Sequence, residues 1–189
     1  MNIDSYDFVH LTIHAMGGAI HGKTKLQKTV YFLGTITGCL DELGYRPHFY
    51  GPYSDEVAGV VDRLRSLGFL DATATALGTD ARGFEMARTD YVLSVDGKAV
   101  AELKVKQHPE AWKELVEAVK KLRAAGDLDY MKLSVAAKTY FVLGKKGGQA
   151  SQEELVKLAK KFGWSVSDDQ VTEASHFLQS LNLVQLRSA

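Results

Sequence analysis

The segment from residue 54 to residue 99 constrains the fold most, because it predicts three elements in a fixed order. Ser54 is a favourable helix-capping residue, and an apolar stripe at helical spacing follows it: Val57, Val60, Val61, Leu64 and Leu67. Gly68 ends this helix, since glycine adopts the left-handed conformation common after helix C-termini. Turn residues at 78–83 (GTDARG) and an alternating run at 91–95 then predict a β-hairpin. A helix that leads into a hairpin, with a further helix after it, is typical of the end of a winged helix-turn-helix.

A first helix is predicted from Ser5 to Met16, where apolar residues recur at helical spacing. His10 and His14 are one turn apart and are expected on the opposite, polar face. With His21 nearby in sequence, they raise the question of a metal site. Zinc sites need a third protein ligand, and the HExxH pattern is absent. We therefore predict surface histidines and no bound metal.

A second helix is predicted to begin at Thr24, with Gln27 three residues later in a capping box. The inward stripe of this helix consists of Leu26, Val30 and Leu33. Lys25 and Lys28 point away from that stripe and are expected to be exposed. A turn-rich linker follows at residues 38–53, and its aromatic side chains are Tyr45, His48, Phe49, Tyr50 and Tyr53.

The remainder of the chain is predicted to be helical apart from a short closing strand. The predicted helices cover residues 96–107, a segment that begins at Pro109, and residues 131–143, 151–162 and 168–181. Leu183 and Leu186 indicate the strand. The apolar pattern of residues 54–70 recurs at residues 168–184, which predicts a second module related to the helix-turn-helix (HTH).

We therefore predict a mostly α protein with a small β wing. A winged helix-turn-helix module occupies residues 1–95, connecting or bracing helices occupy residues 96–127, and a smaller HTH-like module occupies residues 128–189. The chain has 189 residues, which is enough for two small domains.

The charge balance limits the classes of function. Lys plus Arg and Asp plus Glu both number 23, so the formal net charge is zero, whereas dedicated nucleic-acid binders are often basic. Cys39 is the single cysteine, which excludes an internal disulfide and favours a reducing compartment. No signal-like segment opens the sequence, and no apolar run reaches membrane-spanning length. The expectation is a cytoplasmic protein that does not insert into a membrane.

Three segments carry a family resemblance: KTKLQKTVYFLG (23–34), YGPYSDEV (50–57) and LRSLGFL (64–70). They resemble a prokaryotic, largely uncharacterised winged-helix family of the YwgA type. More distantly, they resemble the Panacea domain of SocA-like antitoxins, where a K-L-Q/N-K…YF helix and a Y-G-P turn occur. The likeness covers about the first 95 residues, and residues 132–164 fit more loosely. The resemblance implies a winged-helix fold with a regulatory or antitoxin-like role, and it implies no substrate or cofactor.

The leading hypothesis is a regulatory protein that binds double-stranded DNA. Lys23, Lys25 and Lys28 would anchor phosphates, and Arg82 at the wing tip would reach the minor groove. The full set of candidate nucleic-acid-binding residues is Lys23, Lys25, Lys28, Arg63, Arg65, Arg82, Lys145 and Lys146. Taken singly, each is better explained as part of a solvated surface. A homodimer is expected under this hypothesis, because helix-turn-helix proteins commonly bind DNA as two-fold symmetric dimers.

The alternative hypothesis is a protein-interaction adaptor or antitoxin-like module that binds a partner protein and not DNA. The third helix begins with Asp55 and Glu56, whose carboxylates would repel DNA phosphates. Tyrosines suit protein interfaces, since they combine apolar area with a polar group. The candidate partner-binding residues are Tyr50, Pro52, Tyr53, Asp55 and Glu56. Lysines that converge on one face would favour DNA, and scattered lysines with an exposed aromatic linker would favour the adaptor.

No catalytic constellation competes with these two hypotheses. Cys39 has no recognisable base partner and is expected to be buried. The Gly-Gly pairs at 17–18 and 147–148 lack the GxxxxGK[ST] pattern of phosphate loops. Most of the adjacent carboxylate pairs are explained by helix starts, where acidic side chains are favourable. We therefore predict neither an enzyme nor a cofactor.

Overall fold

The computed structural model describes residues 3–79, 85–126, 128–145 and 151–184. Within these residues the protein is mostly helical and carries one small antiparallel sheet, as the sequence predicts. The helices are α1 (Ser5–Ala15), α2 (Lys23–Thr37), α3 (Asp55–Ser66), α4 (Val95–Gln107), α5 (Pro109–Ala124), α6 (Tyr130–Lys145), α7 (Gln152–Lys161) and α8 (Asp168–Ser180), with a 3₁₀ turn at Asp41–Leu43. The strands are β1 (Ala19–His21), β2 (Leu70–Thr79) and β3 (Glu85–Leu93). None of the described helices is both long and apolar enough to cross a bilayer.

The three-stranded sheet has the order β1-β3-β2, so β3 lies in the centre and pairs antiparallel with both neighbours. Tyr91 of β3 lies opposite Ile20 on one side and Ala72 on the other. A bulge between Ala76 and Gly78 interrupts the register of the hairpin. The hairpin itself is the one that the alternating pattern predicts. The short strand β1 was not predicted, because its three residues leave no alternation for a sequence to show.

Serine side chains begin four of the helices. Ser54 Oγ accepts the N–H of Val57 at 2.9 Å and caps α3, as predicted. Three further helices, α4, α7 and α8, begin in the same way at Ser94, Ser151 and Ser167. These bonds satisfy N–H groups that the helices leave unpaired at their starts, so local sequence fixes these boundaries.

The start of α2 differs from the prediction. The helix begins at Lys23 and not at Thr24, and no side chain caps it. Its N-cap residue is Gly22, with φ +105, a conformation that glycine adopts without strain. Gln27 therefore takes no part in a capping box, and its amide is used in a contact with the loop before α3.

One buried apolar core joins the N-terminal and C-terminal parts of the chain. Helix α2 lies at its centre, and its fully buried side chains include Val30, Phe32 and Leu33. Both α5 and α6 pack against α2. Phe32 also meets Phe177 of α8 edge to face, with ring centroids 5.5 Å apart. Helices α5, α6 and α8 therefore pack directly on the first part of the chain.

The end of the described chain departs from the predicted closing strand. Leu183 and Val184 follow α8 without strand conformation, and Leu186 lies outside the described residues. The second HTH-like module and the boundaries at residues 95 and 127 stay predictions.

The two histidines of α1 are not surface residues, so that prediction is wrong. His10 is fully buried, because α4 covers the side of α1 that the sequence marks as polar. Its Nε2 donates to the carbonyl of Gly97 at 2.9 Å, and burial lowers the His10 pKa to about 4. His14 is half-buried against the ring of Trp112. Among the described residues, no group of His, Cys, Asp and Glu side chains could hold a metal ion.

Candidate functional site

A loop rich in aromatic residues connects the 3₁₀ turn to α3, and we call residues 45–53 (YRPHFYGPY) the aromatic loop. Arg46 and Tyr53 close it, since the N–H of each donates to the carbonyl of the other at 2.9 Å. Within it, the Gly51 N–H donates to the His48 carbonyl at 2.9 Å. The aromatic loop is therefore a closed turn whose ends are fixed beside the start of α3.

Three side chains from distant parts of the chain hold the backbone of the aromatic loop. Each donates a hydrogen bond to a loop carbonyl: Trp164 Nε1 to His48 at 2.6 Å, Ser134 Oγ to Tyr50 at 2.6 Å, and Lys28 Nζ to Pro52 at 2.5 Å. A buried carbonyl without a partner costs free energy, so these bonds favour one backbone conformation. The donors belong to α2, to α6 and to the turn before α8. The tertiary fold therefore positions the loop.

The end of the loop is fixed by a reciprocal pair of hydrogen bonds. Gln27 Nε2 donates to the Ser54 carbonyl at 2.9 Å, and the Ser54 N–H donates to Gln27 Oε1 at 3.1 Å. Ser54 Oγ also donates to the carbonyl of Leu43. At the other end of the loop, the Tyr45 hydroxyl donates to the Gln27 carbonyl at 2.7 Å. The conspicuous Gln27 of the KLQK segment therefore joins α2 to both ends of the loop.

The tip of the aromatic loop presents two aromatic side chains to solvent. Phe49 is 71% exposed and Tyr50 is 58% exposed. Their rings meet edge to face with centroids 5.0 Å apart, an arrangement that aromatic pairs prefer. Large apolar side chains are usually covered. An exposed pair on an anchored backbone is therefore the feature of this surface that calls for a function.

Lys28 lies beneath this tip and is buried, so its predicted role in anchoring DNA phosphates is wrong. Lys28 is only 2% exposed, and its ammonium group donates a hydrogen bond to the carbonyl of Pro52. Burial lowers the Lys28 pKa to about 7, and the charge of Lys138 contributes to the same shift. The stems of the two lysines pack over Gly51, where an added Cβ would lie 3.0 Å from Lys138 Cγ and 3.5 Å from Lys28 Cε.

Lys138 lies at the edge of the loop and carries a charge that the described residues do not neutralise. Its side chain is half-buried, and its Nζ lies 5.9 Å from the ring centroid of Trp164. Burial lowers the pKa of Lys138 as well. Among the described residues, no carboxylate lies at ion-pair distance from Lys28 or Lys138. The surface beside Phe49 and Tyr50 is therefore aromatic and positively charged.

Two of the predicted DNA-binding cations lie together. Lys23 and Arg65 line a cleft of about 330 Å³ between α2, α3 and the sheet. Lys23 is exposed, with its Nζ 5.7 Å from the ring centroid of Tyr53. Arg65 is paired with Asp62 of its own helix at 3.2 Å. One carboxylate of the cleft therefore already offsets one of its two cations.

Of the other predicted DNA-binding residues, those whose side chains the structure describes lie elsewhere. Arg63 lies over the ring of Tyr6 on the side of α1, and Lys25 is half-buried. The remaining three candidates have side chains outside the described residues: Arg82, Lys145 and Lys146. The DNA-binding candidates whose side chains the structure describes therefore do not gather at one site.

The predicted partner-binding residues fall into two groups. Tyr50 is exposed at the tip and Tyr53 is half-buried below it, whereas Pro52 is buried and unable to touch a partner. Asp55 and Glu56 are exposed, but both are engaged: Asp55 pairs with Arg46, and Glu56 accepts a hydrogen bond from Ser5. Tyr50 and Tyr53 therefore stay candidates for partner binding, whereas the buried Pro52 does not.

Three residues of this site were not predicted: Ser134, Lys138 and Trp164. Each of them lies at least 84 positions in sequence from the loop residue that it contacts. Only Trp164 could have been suspected from sequence, since a buried tryptophan needs a hydrogen-bond acceptor for its N–H. The sequence does not reveal which carbonyl accepts this hydrogen bond.

Comparison with known proteins gives a partial relationship. No family model matches the chain. The chain is 38% identical over 60 residues to "Uncharacterized protein YwgA" of Bacillus subtilis (strain 168). The match spans 32% of this chain and 36% of that protein. It supports the resemblance to YwgA-type proteins over about a third of each chain, and the likeness to the Panacea domain stays a prediction.

Proposed function

We propose that this protein is an interaction module that binds a partner protein through the aromatic loop. One observation carries the proposal: Phe49 and Tyr50 are 71% and 58% exposed on a loop whose carbonyls are bonded to three distant side chains. Aromatic side chains dominate the binding energy of many protein interfaces. A backbone that is already ordered loses little conformational entropy when it binds.

The charges around the loop specify the chemistry of the partner. Lys138 has no carboxylate partner among the described residues, whereas Arg46 is paired with Asp55. A half-buried ammonium group gains more from an incoming carboxylate than an exposed one, because it is less screened by water. We therefore expect a partner segment that places an apolar side chain on Phe49 and Tyr50 and a carboxylate near Lys138.

Substitution of the exposed rings tests this function. The double variant Phe49→Ala/Tyr50→Ala removes two exposed side chains and should leave the melting temperature close to that of the wild type. In quantitative affinity purification from cells of the source organism, the recovery of a specific co-purifying protein should be at least tenfold lower than with the wild type. The matched control is Val95→Ala/Leu103→Ala, which removes two exposed apolar side chains of α4. Equal recovery of every co-purifying protein with both double variants would overturn the proposal.

DNA binding is the second candidate, and the order of the elements favours it. From α1 to β3 the chain runs helix, strand, helix, helix, strand, strand, with the sheet order β1-β3-β2. This order is typical of a winged helix-turn-helix, in which α3 would be the recognition helix. Lys23 and Lys25 at the start of α2 would then contact phosphates.

The acidic residues at the start of α3 make DNA binding the less favoured candidate. Its first turn carries Asp55 and Glu56, both exposed, and carboxylates there oppose entry into a groove lined by phosphates. Lys28 is buried and unavailable.

Fluorescence anisotropy with fragmented genomic DNA across a salt series tests this candidate. Log affinity that falls steeply with log salt, and less steeply for Lys23→Glu/Lys25→Glu, would support DNA binding. Absence of binding at low salt would exclude it.

A further inference from the structure

The outer strand of the sheet has an edge that no described residue covers. In the order β1-β3-β2, strand β2 is the edge, and it runs for ten residues from Leu70 to Thr79. Residues 73–78 are exposed, and residues 72–79 (ATATALGT) contain neither a charged residue nor a proline. Proteins usually protect such edges with charges, prolines or a covering segment, because an open edge pairs with other strands.

The hydrogen bonds of β1 show which way the backbone of β3 points. The Leu93 N–H donates to the Gly18 carbonyl at 2.8 Å, and the Gly22 N–H donates to the Thr89 carbonyl at 3.0 Å. Thr89 and Leu93 therefore direct their backbone groups towards β1. Successive residues of a strand direct these groups to opposite sides, so Arg88, Asp90 and Val92 direct theirs towards β2.

The register of the hairpin then shows which groups of β2 are unpaired. Thr73 lies opposite Asp90, and Thr75 lies opposite Arg88, so these two threonines bond to β3. The residues between and beside them direct their N–H and C=O groups to the open edge: Ala72, Ala74 and Ala76. No described residue bonds to those outward backbone groups.

The open edge is complementary to itself. Residues 72–76 read ATATA in both directions, with Ala74 at the centre. When a second copy runs antiparallel beside this edge, Ala74 lies opposite Ala74 and Ala72 lies opposite Ala76. Each opposed pair then exchanges two N–H···O bonds. Thr73 lies opposite Thr75, a favourable cross-strand pair.

We propose that two copies of this chain associate through the β2 edge, about a two-fold axis at Ala74, so that their sheets join into one. The two copies use the same surface, which gives a closed dimer and leaves no further edge of β2 to extend it. The second copy fits this edge better than a partner of another sequence, because the match depends on the palindrome. The aromatic loop takes no part in this association.

A proline at position 74 tests the proposed dimer. The Ala74 N–H points outward, so Ala74→Pro removes both N–H···O bonds of the central Ala74 pair and none within the sheet of one copy. Proline is tolerated at strand edges. The control Ala74→Val keeps the N–H and suits a strand. By light scattering after gel filtration across a concentration series, the wild type and Ala74→Val should be dimers, and Ala74→Pro should be a monomer with the circular dichroism of the wild type. A wild type that stays monomeric, or an Ala74→Pro that stays dimeric, would overturn the proposal.

A pair of cysteine variants decides the question if Ala74→Pro does not fold. In the proposed register the Cα atoms of residue 74 lie about 5.5 Å apart across the axis, within the span of a disulfide. Residue 76 lies four positions from its own copy, about 13 Å along the strand, which is too far. Because the native Cys39 is buried, mild oxidation should give a covalent dimer with Ala74→Cys and not with Ala76→Cys. Equal cross-linking of both variants, or none with Ala74→Cys, would contradict the register.

Discussion

Lys28 is the residue whose sequence context is most misleading. Its position relative to the stripe of Leu26, Val30 and Leu33 predicts an exposed lysine, as periodicity on one helix does. The structure buries it, because the aromatic loop covers that face of α2 and supplies the Pro52 carbonyl. The cap at Ser54 shows the opposite case. The prediction of this cap is confirmed, since the serine hydroxyl and the N–H that it accepts are only three positions apart in the chain.

The pH dependence of stability should report the burial of Lys28. Its folded-state pKa is about 7, against an ordinary value of 10.5. Between these values the unfolded state binds more protons than the folded state, so stability rises with pH across this window. From pH 7 to pH 9 the wild type should gain about 2 kcal/mol relative to Lys28→Met. Urea unfolding at both pH values measures this difference. The control Lys25→Met should behave as the wild type, and parallel pH profiles for Lys28→Met and the wild type would contradict the assignment.

Two glycines offer a matched pair of substitutions. Gly51 has φ +97, and an added Cβ would lie 3.0 Å from Lys138 Cγ, so Gly51→Ala should destabilise the protein by about 1–3 kcal/mol. Gly59 is exposed in the middle of α3 with open space around it. Gly59→Ala should therefore stabilise the protein by up to about 1 kcal/mol. Denaturant unfolding of both variants checks the pair. A neutral Gly51→Ala would show that the loop does not need this conformation.

At the scale of elements, sequence predicts the helices and the hairpin better than it predicts the loop between them. The prolines and aromatic residues of the aromatic loop predict a turn-rich linker. Its conformation depends on hydrogen bonds that span 24, 84 and 116 positions. No local pattern encodes pairings of that range, because they depend on how α2, α6 and the turn before α8 pack.

The anchoring of the loop predicts a specific dynamic effect. Trp164→Phe keeps most of the buried ring and removes the N–H that bonds to the His48 carbonyl. The backbone amides of residues 48–51 should then gain motion on the picosecond to nanosecond timescale. Heteronuclear ¹⁵N relaxation measures this motion. The control is Trp112→Phe in α5, because Trp112 is half-buried against the ring of His14 in α1. Unchanged order parameters in Trp164→Phe would show that the tryptophan bond does not hold the loop.

At the scale of the whole molecule, the core joins regions that the sequence divides. The sequence predicts modules that meet near residues 95 and 127, and the buried cluster includes residues from all three segments. The packing of α6 on α2 brings Ser134 and Lys138 to the aromatic loop. The proposed binding surface therefore forms only in the assembled chain, so the local sequence indicates its tyrosines and does not indicate Lys138.

Site-specific photo-cross-linking tests the proposed binding function of the aromatic loop most directly. A benzophenone amino acid replaces Tyr50, which is 58% exposed, or the control Tyr130, which is 51% exposed at the start of α6. In irradiated cells of the source organism, we expect a discrete covalent adduct from position 50 and none from position 130. Lys138→Glu should reduce that adduct severalfold, because it would repel the carboxylate of the partner. No adduct from position 50, or the same adducts from both positions, would contradict binding of a partner by the aromatic loop.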